Sequence, residues 1–312
     1  MDEHQVTIQT LIRERDELKE HCARLQGLLE NTDFPPGHFY SPIVDRKDVC
    51  VVRAVHERAL GLSPAGVDLD VPRMRETMRL LASHYRDFRF PRDLQAAIPA
   101  QPLRFHWDNP YFSAHDATVL FSMLLAFRPK SVIEVGCGYS SCLLLDTNEM
   151  FLDGAMSLTL IDPFLDDQSA LFGPKGATGA RLYPQRLQDV PLEIFAELEA
   201  NDILFIDSSH VSKTGSDVNH YLFRILPLLK PGVLIHVHDI HWPFEYPAIW
   251  VFDEKHSWNE AYILHAFLQY NTSFEILYWN NFVFCNLLEE LRSLMPVCAE
   301  NGGGSLWLRR KG

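Results

Sequence analysis

Two short runs in the second half of the chain concentrate side chains that move protons and hold cations: Asp207-Ser208-Ser209-His210 and His238-Asp239-Ile240-His241. A histidine of ordinary pKa changes charge near neutrality, so His210 or His238 suits a general base. Asp207 and Asp239 suit a neighbouring positive charge. The residues allow a second use, because Asp207, His210 and Asp239 could together hold one divalent metal that lowers the pKa of a hydroxyl. No ligand set of defined spacing runs through them, and a metal-free base is the preferred expectation. His236 and His238 share one face by period two, but His236 lies inside an apolar run and reads as a core histidine. His241 reads as a cap on the turn into Trp242-Pro243.

A second constellation concerns what is bound. Ser131 to Ser141 reads SVIEVGCGYSS, a β-branched run that ends on Glu134 and Val135 before Gly136 and Gly138. Glycines at a strand-to-helix turn let backbone approach a small molecule closely, and an acidic residue beside them holds its cationic or hydroxylated part. A nucleotide-like cofactor follows as the first expectation. The dinucleotide fingerprint requires a third glycine where this chain has Ser141, which departs from the NAD pattern. Thr159-Leu160-Ile161-Asp162 is a strand tipped by a carboxylate that could meet ribose hydroxyls. Gln188 and Asp189 either meet the exocyclic amine of an adenine or cap a helix over Pro191 to Leu198.

These groups need a scaffold that brings distant residues to one edge. Short apolar runs at Ser131–Val135, Ser157–Ile161, Ala180–Tyr183, Ile203–Ile206 and Val233–Val237 alternate mainly with segments able to form crossover helices. That is the pattern of a parallel sheet covered on both faces, whose strand ends carry the site. Phe274 to Trp279 and Ser305 to Arg309 add two strands, joined closely enough for an antiparallel pair, with a short helix over Leu287 to Leu294 between them. Ala114 to Phe127 is an apolar helix stopped by Arg128-Pro129, and Trp258 to Tyr270 is helical.

Ahead of this core, residues 33–113 read as a helical accessory and lid segment punctuated by Pro64, Pro72, Pro91, Pro99 and Pro102. Residues 1–32 form an amphipathic helix with Leu11, Leu18 and Leu25 seven apart, and Ile8, Cys22 and Leu29 on the adjoining row, which Arg15 interrupts. That helix pairs either with another copy, giving a homodimer, or with the body of its own chain. Residues 114–312 form the cofactor domain. Tyr40 in Gly37 to Pro42, and Glu245 with Tyr246 in Pro243 to Pro247, are polar tips of aromatic, proline-flanked segments expected to form a lid. Asn109, Tyr111, Phe112 and Asp116 precede the core and are further candidates for cofactor contact.

Composition excludes several classes. The 312 residues are 47% hydrophobic, enough for a sizeable core. A net charge of -13 argues against nucleic acid as a partner. The longest apolar stretch, Val119 to Phe127, is too short to span a bilayer, so no membrane partner is expected. Six scattered cysteines without a CxxC pair, and an N-terminus without a basic and apolar leader, point to a cytoplasmic protein.

From Ala114 onward the chain resembles the class I S-adenosylmethionine-dependent methyltransferases. The resemblance rests on E-V-G-C-G-Y-S-S, the strand-tip Asp162, Leu187-Gln188-Asp189, F-I-D-S-S-H, L-L-K-P-G-V-L-I-H-V-H-D and the two closing strands. Within that superfamily it looks like a bacterial small-molecule branch carrying P-P-G-H-F-Y-S-P, here Pro35 to Pro42, and H-D-I-x-x-P-F-E-Y-P, here His238 to Pro247. The resemblance implies a Rossmann-like, seven-stranded α/β sheet, mostly parallel with one antiparallel strand. It implies S-adenosyl-L-methionine contacted by Glu134, Gly136, Gly138 and Ser140 at its amino-acid end, by Asp162 at the ribose, by Gln188 and Asp189 at the adenine, and by Asp207. The implied activity is methyl transfer to a hydroxyl or amine of a small molecule, a secondary metabolite or sugar, with His210 or His238 as base beside Asp207 and Asp239. The chain departs from the catechol type, which has Asp-Asn where Asp239-Ile240 stands, and this weighs against magnesium. Two alternatives stay open: another transfer that consumes the same cofactor, such as cyclisation of its aminobutyl arm, and a non-catalytic cofactor-binding scaffold.

Overall fold

A computed structural model of the chain describes residues 3–30, 33–45, Arg53, Arg58, 64–93, 103–166 and 169–312. Within the lead-in, residues 46–52, 54–57, 59–63 and 94–102, with the expected turns at Pro99 and Pro102, lie outside the described residues. The described lead-in contains helix α2 (Val71–Ala82), which follows α1 (Glu3–Glu30). The Asp70 side chain accepts from the Arg73 amide to start α2, and Met74, Met78 and Leu81 turn its apolar stripe inward.

Seven strands form one sheet: β1 (Ser131–Val135), β2 (Ser157–Ile161), β3 (Ala180–Tyr183), β4 (Ile203–Ile206), β5 (Leu234–Val237), β6 (Phe274–Trp279) and β7 (Leu306–Arg310). Their spatial order is β3-β2-β1-β4-β5-β7-β6, with β7 antiparallel to both its neighbours. Every residue of β4 and β5 is buried, as central strands packed on both faces require; β4 is wholly apolar and β5 is broken only by His236. The reversal of direction from β2 and β3 on one side of β1 to β4 and β5 on the other opens a crevice at the strand tips.

Three helices set the edges of that crevice. Helix α3 (Ala114–Phe127) buries every side chain from Ala114 to Leu124, then ends on Arg128 at φ 45° before Pro129. Its Asp116 accepts from the backbone amides of Gly304 and Ser305, from the Ser305 hydroxyl and from Asn280, tying the helix to the start of β7. Helix α4 (Tyr139–Phe151) begins at the glycine turn. Helix α5 (Glu260–Leu268) is shorter than the helical reading of Trp258 to Tyr270, because its first amides are taken by the His210 carbonyl: Asn259 and Glu260 each donate to it at 3.1 Å. Two helices, α6 (Asn280–Asn286) and α7 (Leu288–Leu294), fill the β6–β7 connection where one was expected. The expected helix over Pro191 to Leu198 contracts to Glu193–Ala196. Among the described residues no helix is long and apolar enough to cross a membrane.

Candidate active site

The tip of β1 shows why two glycines stand there and why they differ. Gly136 adopts φ +83°, and a Cβ on it would lie 1.6 Å from the Asp207 carbonyl oxygen, so only glycine lets β1 and β4 end this close together. Gly138 has nothing within 4 Å of a Cβ position and faces a cavity. One glycine is demanded by the protein's own backbone; the other leaves room for something else.

That room has two connected parts. A cavity of about 420 Å³ lies among Gly136, Asp162, Phe164, Gln188, Lys213 and Ser216. A second of about 480 Å³ is walled by Tyr111, Phe112, Tyr139 and Trp258 and floored by Gly138, Asp207, His210, His238 and Asp239. Gly136, Asp162, Asp207 and Ser208 line both, so the two spaces meet at the β1 and β4 tips. Glu134 lies beneath, fully buried, where Ser141 Oγ donates to its Oε2 at 2.5 Å while Oε1 finds no partner among the described residues. Burial pushes the Glu134 carboxyl up to about 8, outweighing the Ser140 and Ser141 hydroxyls; the charges of Asp207 and Asp162 add to the rise. Asp162 accepts from the Cys137 amide at 2.9 Å, which fixes the turn.

The floor of the larger cavity is a histidine–carboxylate cluster. His210 and Asp239 both have left-handed backbone, each with φ 57°, a conformation seldom adopted by residues other than glycine. These kinks just beyond β4 and β5 turn both side chains toward one point. His210 Nε2 lies 3.4 Å from Asp207 Oδ1 and 3.5 Å from Asp239 Oδ2, and its Nδ1 is 2.8 Å from Glu260 Oε2. Tyr221 donates its hydroxyl to the other oxygen of Glu260 at 2.7 Å, so the carboxylate is held from both sides. Burial disfavours the His210 cation, yet hydrogen bonds to Asp207 and Glu260 and the charges of Glu260 and Asp239 hold its pKa well above the ordinary value. His238 Nε2 stands 3.6 Å from Asp239 Oδ1, and its ring packs on Phe112. Its pKa is also raised, by Asp207 and Asp239 against burial. Burial would push Asp207 up, but His238 and His210 bring it down to about 2.

Not every residue singled out in the sequence reaches this place. Gly136, Gly138, Ser140, Asp162, Gln188, Asp207, His210, His238 and Asp239 all line one or both cavities, while Glu134 lines neither and is fully buried two residues before Gly136, bonded to Ser141. Asp189 does not: it pairs with Arg186 at 2.9 Å and faces solvent. The reason is the 3-10 turn Leu187–Asp189, which at three residues per turn sends Gln188 and Asp189 in different directions. Tyr40 is 69% exposed; among the described residues its ring contacts are Phe34, His38 and Phe39, and it lines neither cavity. Tyr246 is a buried plug whose oxygen accepts from the Ala261 amide among Trp250, Trp258 and Tyr262. Glu245 lines an outer space of about 320 Å³ behind Trp258, together with Pro42 and Val44. His236 is a core residue stacked on Phe205, with Nε2 2.9 Å from Ser305 Oγ, and His241 is half-buried against Trp250. Tyr111 and Phe112 are cavity walls, whereas Asn109 shapes its own loop by accepting from the amides of Tyr111 and Phe112.

Ser208, in the Asp207–His210 run marked in the sequence, lines both cavities, whereas Glu260 and Trp258 were not singled out. Nothing near Glu260 marks it, since an acidic residue at a helix start is ordinary and its partner His210 is 50 positions away.

Comparison with known proteins accords with this geometry. The family described as a methyltransferase domain matches residues 133–240, from the middle of β1 past the tip of β5. An uncharacterized protein of Archaeoglobus fulgidus is 31% identical over 193 residues, covering 58% of this chain and 82% of that protein. Among solved structures, a provisionally described O-methyltransferase from Klebsiella pneumoniae is similar at 15% identity and a TM-score of 0.38, over 76% of this chain and 90% of that one. Coclaurine N-methyltransferase, bound to N-methylheliamine and SAH, is similar at 10% identity and a TM-score of 0.35, over 86% and 95%. The two structural likenesses are distant. With the archaeal protein as kin of the chain, residues 133–240, which span the glycine turn and β1 to β5 of the β3-β2-β1-β4-β5-β7-β6 sheet, belong to the methyltransferase-domain family.

Proposed function

We propose that this enzyme methylates a hydroxyl or amine of a small molecule, a secondary metabolite or sugar, in the larger cavity, with His210 as the base. One observation carries the reading: the two cavities join at Gly136, Asp162, Asp207 and Ser208, and only the larger one holds the histidine–carboxylate cluster.

The residues fit the cofactor. Glu134 Oε1 is buried without a partner, and the carboxyl is poised to ionise beside a cation such as an α-ammonium group. Gly138 leaves open the volume a side chain would fill. Asp162 would hold the ribose, and Gln188 the adenine, with its Nε2 already donated to the Gly215 carbonyl at 2.7 Å and its oxygen left for the ligand. S-adenosylmethionine, when bound, supplies a methyl group activated by the adjacent sulfonium charge. The chain's own task is then to orient the acceptor and take its proton. Glu260 keeps the His210 proton on Nδ1, so Nε2 faces the cavity as the atom that accepts. Asp207 and Asp239 share their charge between the imidazole and any cation in the cavity, so a bound cation eases loss of the resting His210 proton. Tyr111, Phe112, Tyr139 and Trp258 give the cavity aromatic walls, the side-chain type that suits a positive charge.

A second reading has its own support. One ligand atom from each of Asp207, His210 and Asp239 falls within 4.8 Å of the others, and Glu260 orients His210 from behind as carboxylates do for metal-bound histidines. A divalent cation there would replace the His210 proton and lower the acceptor's pKa itself.

Calorimetry with S-adenosylmethionine and NAD, followed by a panel of hydroxyl and amine acceptors, tests the proposal. Binding of the former and acceptor-dependent release of S-adenosylhomocysteine are expected. Methylthioadenosine formed without an acceptor would point instead to cyclisation, and binding without turnover to a scaffold. Loss of activity with a chelator, restored by a divalent ion, would favour the metal form over the free base.

A further inference from the structure

Helix α1 presents its apolar row to water. Every residue from Gln9 to Gly27 is exposed, including Leu11 at 58%, Leu18 at 64% and Leu25 at 44%. Packing against the chain's own body would bury that row, and it is not buried. A helix exposed all along residues 9–27 gains little from its own turns, so its stability calls for a partner along the leucines.

Charge placement identifies the partner. With the leucines at heptad position d, Arg15 and Cys22 fall at a, Glu14 at g and Lys19 at e. A surface groove follows this face past Leu11, Glu14, Arg15, Leu18, Lys19 and Cys22. We propose that α1 pairs with α1 of a second copy of this chain as a parallel, in-register, two-stranded coiled coil. In that arrangement each g residue meets the e residue of the partner's next heptad, so Glu14 meets Lys19 twice by symmetry. Arg15 at a lies beside Glu14 at g of the other strand, which supplies the counter-charge for the one cation in the seam. An antiparallel pair sets g against g and e against e, and separates Glu14 from Lys19. Residues 1–32 also mix four basic with seven acidic residues, whereas the rest of the chain carries most of the net charge of -13. Self-pairing of arms is therefore electrostatically easier than contact between bodies.

Sedimentation of the full chain at micromolar concentration should show a dimer. The double variant Leu18→Asp, Leu25→Asp should sediment as a monomer with an unchanged thermal midpoint, because these residues touch nothing in the catalytic domain. The parallel register sets Cys22 opposite Cys22, so a short bis-maleimide should link the dimer covalently. Cys22→Ser should abolish the link even though Cys285 is also exposed. A monomeric wild type, or a dimer that survives the double substitution, overturns the pairing. A dimer that does not link at Cys22 overturns the register.

Discussion

His210 is held from three directions, by Asp207, Asp239 and Glu260, and that arrangement makes its contribution separable from binding. Replacing it by alanine removes the proton acceptor but leaves the smaller cavity intact. His210→Ala should lower turnover by about 10²–10⁴-fold, the usual worth of a positioned base, with half-saturating S-adenosylmethionine changed only a few-fold. Glu260→Gln preserves an oxygen for Nδ1 while removing the charge that stabilises the imidazolium. The loss should be smaller, about 10–100-fold, as for other residues that orient a working histidine. Steady-state release of S-adenosylhomocysteine measures both, and equal losses in turnover and cofactor saturation would count against a base role. In the metal reading the same variants lose binding of a divalent ion, which titration with Mn²⁺ detects directly.

At the scale of elements, the glycine turn between β1 and α4 makes opposite predictions for its two glycines. Gly136→Ala forces a Cβ to within 1.6 Å of the Asp207 carbonyl from a φ of +83°, so β1 and β4 cannot both keep their ends. The variant should be strongly destabilised, by several kcal/mol where backbone strain and steric conflict combine. Gly138→Ala places a Cβ with no protein atom within 4 Å beyond its chain neighbours and should melt close to wild type, yet bind S-adenosylmethionine more weakly. Thermal midpoints with calorimetry distinguish the two, and a folded Gly136→Ala that still binds would contradict the account. This difference could not be read from SVIEVGCGYSS, because both glycines look alike until the neighbouring strand is in place. The strands themselves were legible: β1, β2, β3, β4 and β6 run over the residues their apolar patterns mark, β5 starts one residue later, and β7 is shifted by one residue at both ends. A buried parallel strand leaves a continuous apolar run, and prolines and glycines close it. What the pattern did not carry was side-chain direction. Tyr246 has the setting of a lid residue between Pro243 and Pro247 but points inward to the Ala261 amide, and Asp189 turns from Gln188 toward Arg186. Glu260 was invisible for a related reason: its role exists only through a contact between elements far apart in sequence.

For the whole molecule, the buried ionisable groups around the crevice give the ligand-free enzyme a pH optimum of stability. His236, held neutral well below its usual pKa by burial, and His241, pushed down to about 4, favour the folded state above pH ~6.5; as pH falls below that value, the unfolded chain takes up their protons and the advantage is lost. Glu134 acts in the opposite direction. Its folded pKa is about 8 and its unfolded value near 4.5, so its contribution is full below pH 4.5 and disappears as pH rises to 8. His210 and His238, both raised, likewise lose their contribution above pH ~6.5. The thermal midpoint should therefore peak near pH 6.5 and fall on either side. A ligand with an α-ammonium group favours ionised Glu134, so its binding releases a proton and strengthens as pH approaches 8. S-adenosylhomocysteine carries that group without the sulfonium and should raise the midpoint more at pH 8 than at pH 5.5. Glu134→Gln removes the titrating carboxyl while keeping its shape. In this variant the alkaline decline should be shallower and the pH dependence of the ligand shift largely gone. If the shift stays as pH-dependent as in the wild type, Glu134 is not the group that meets the ligand's charge.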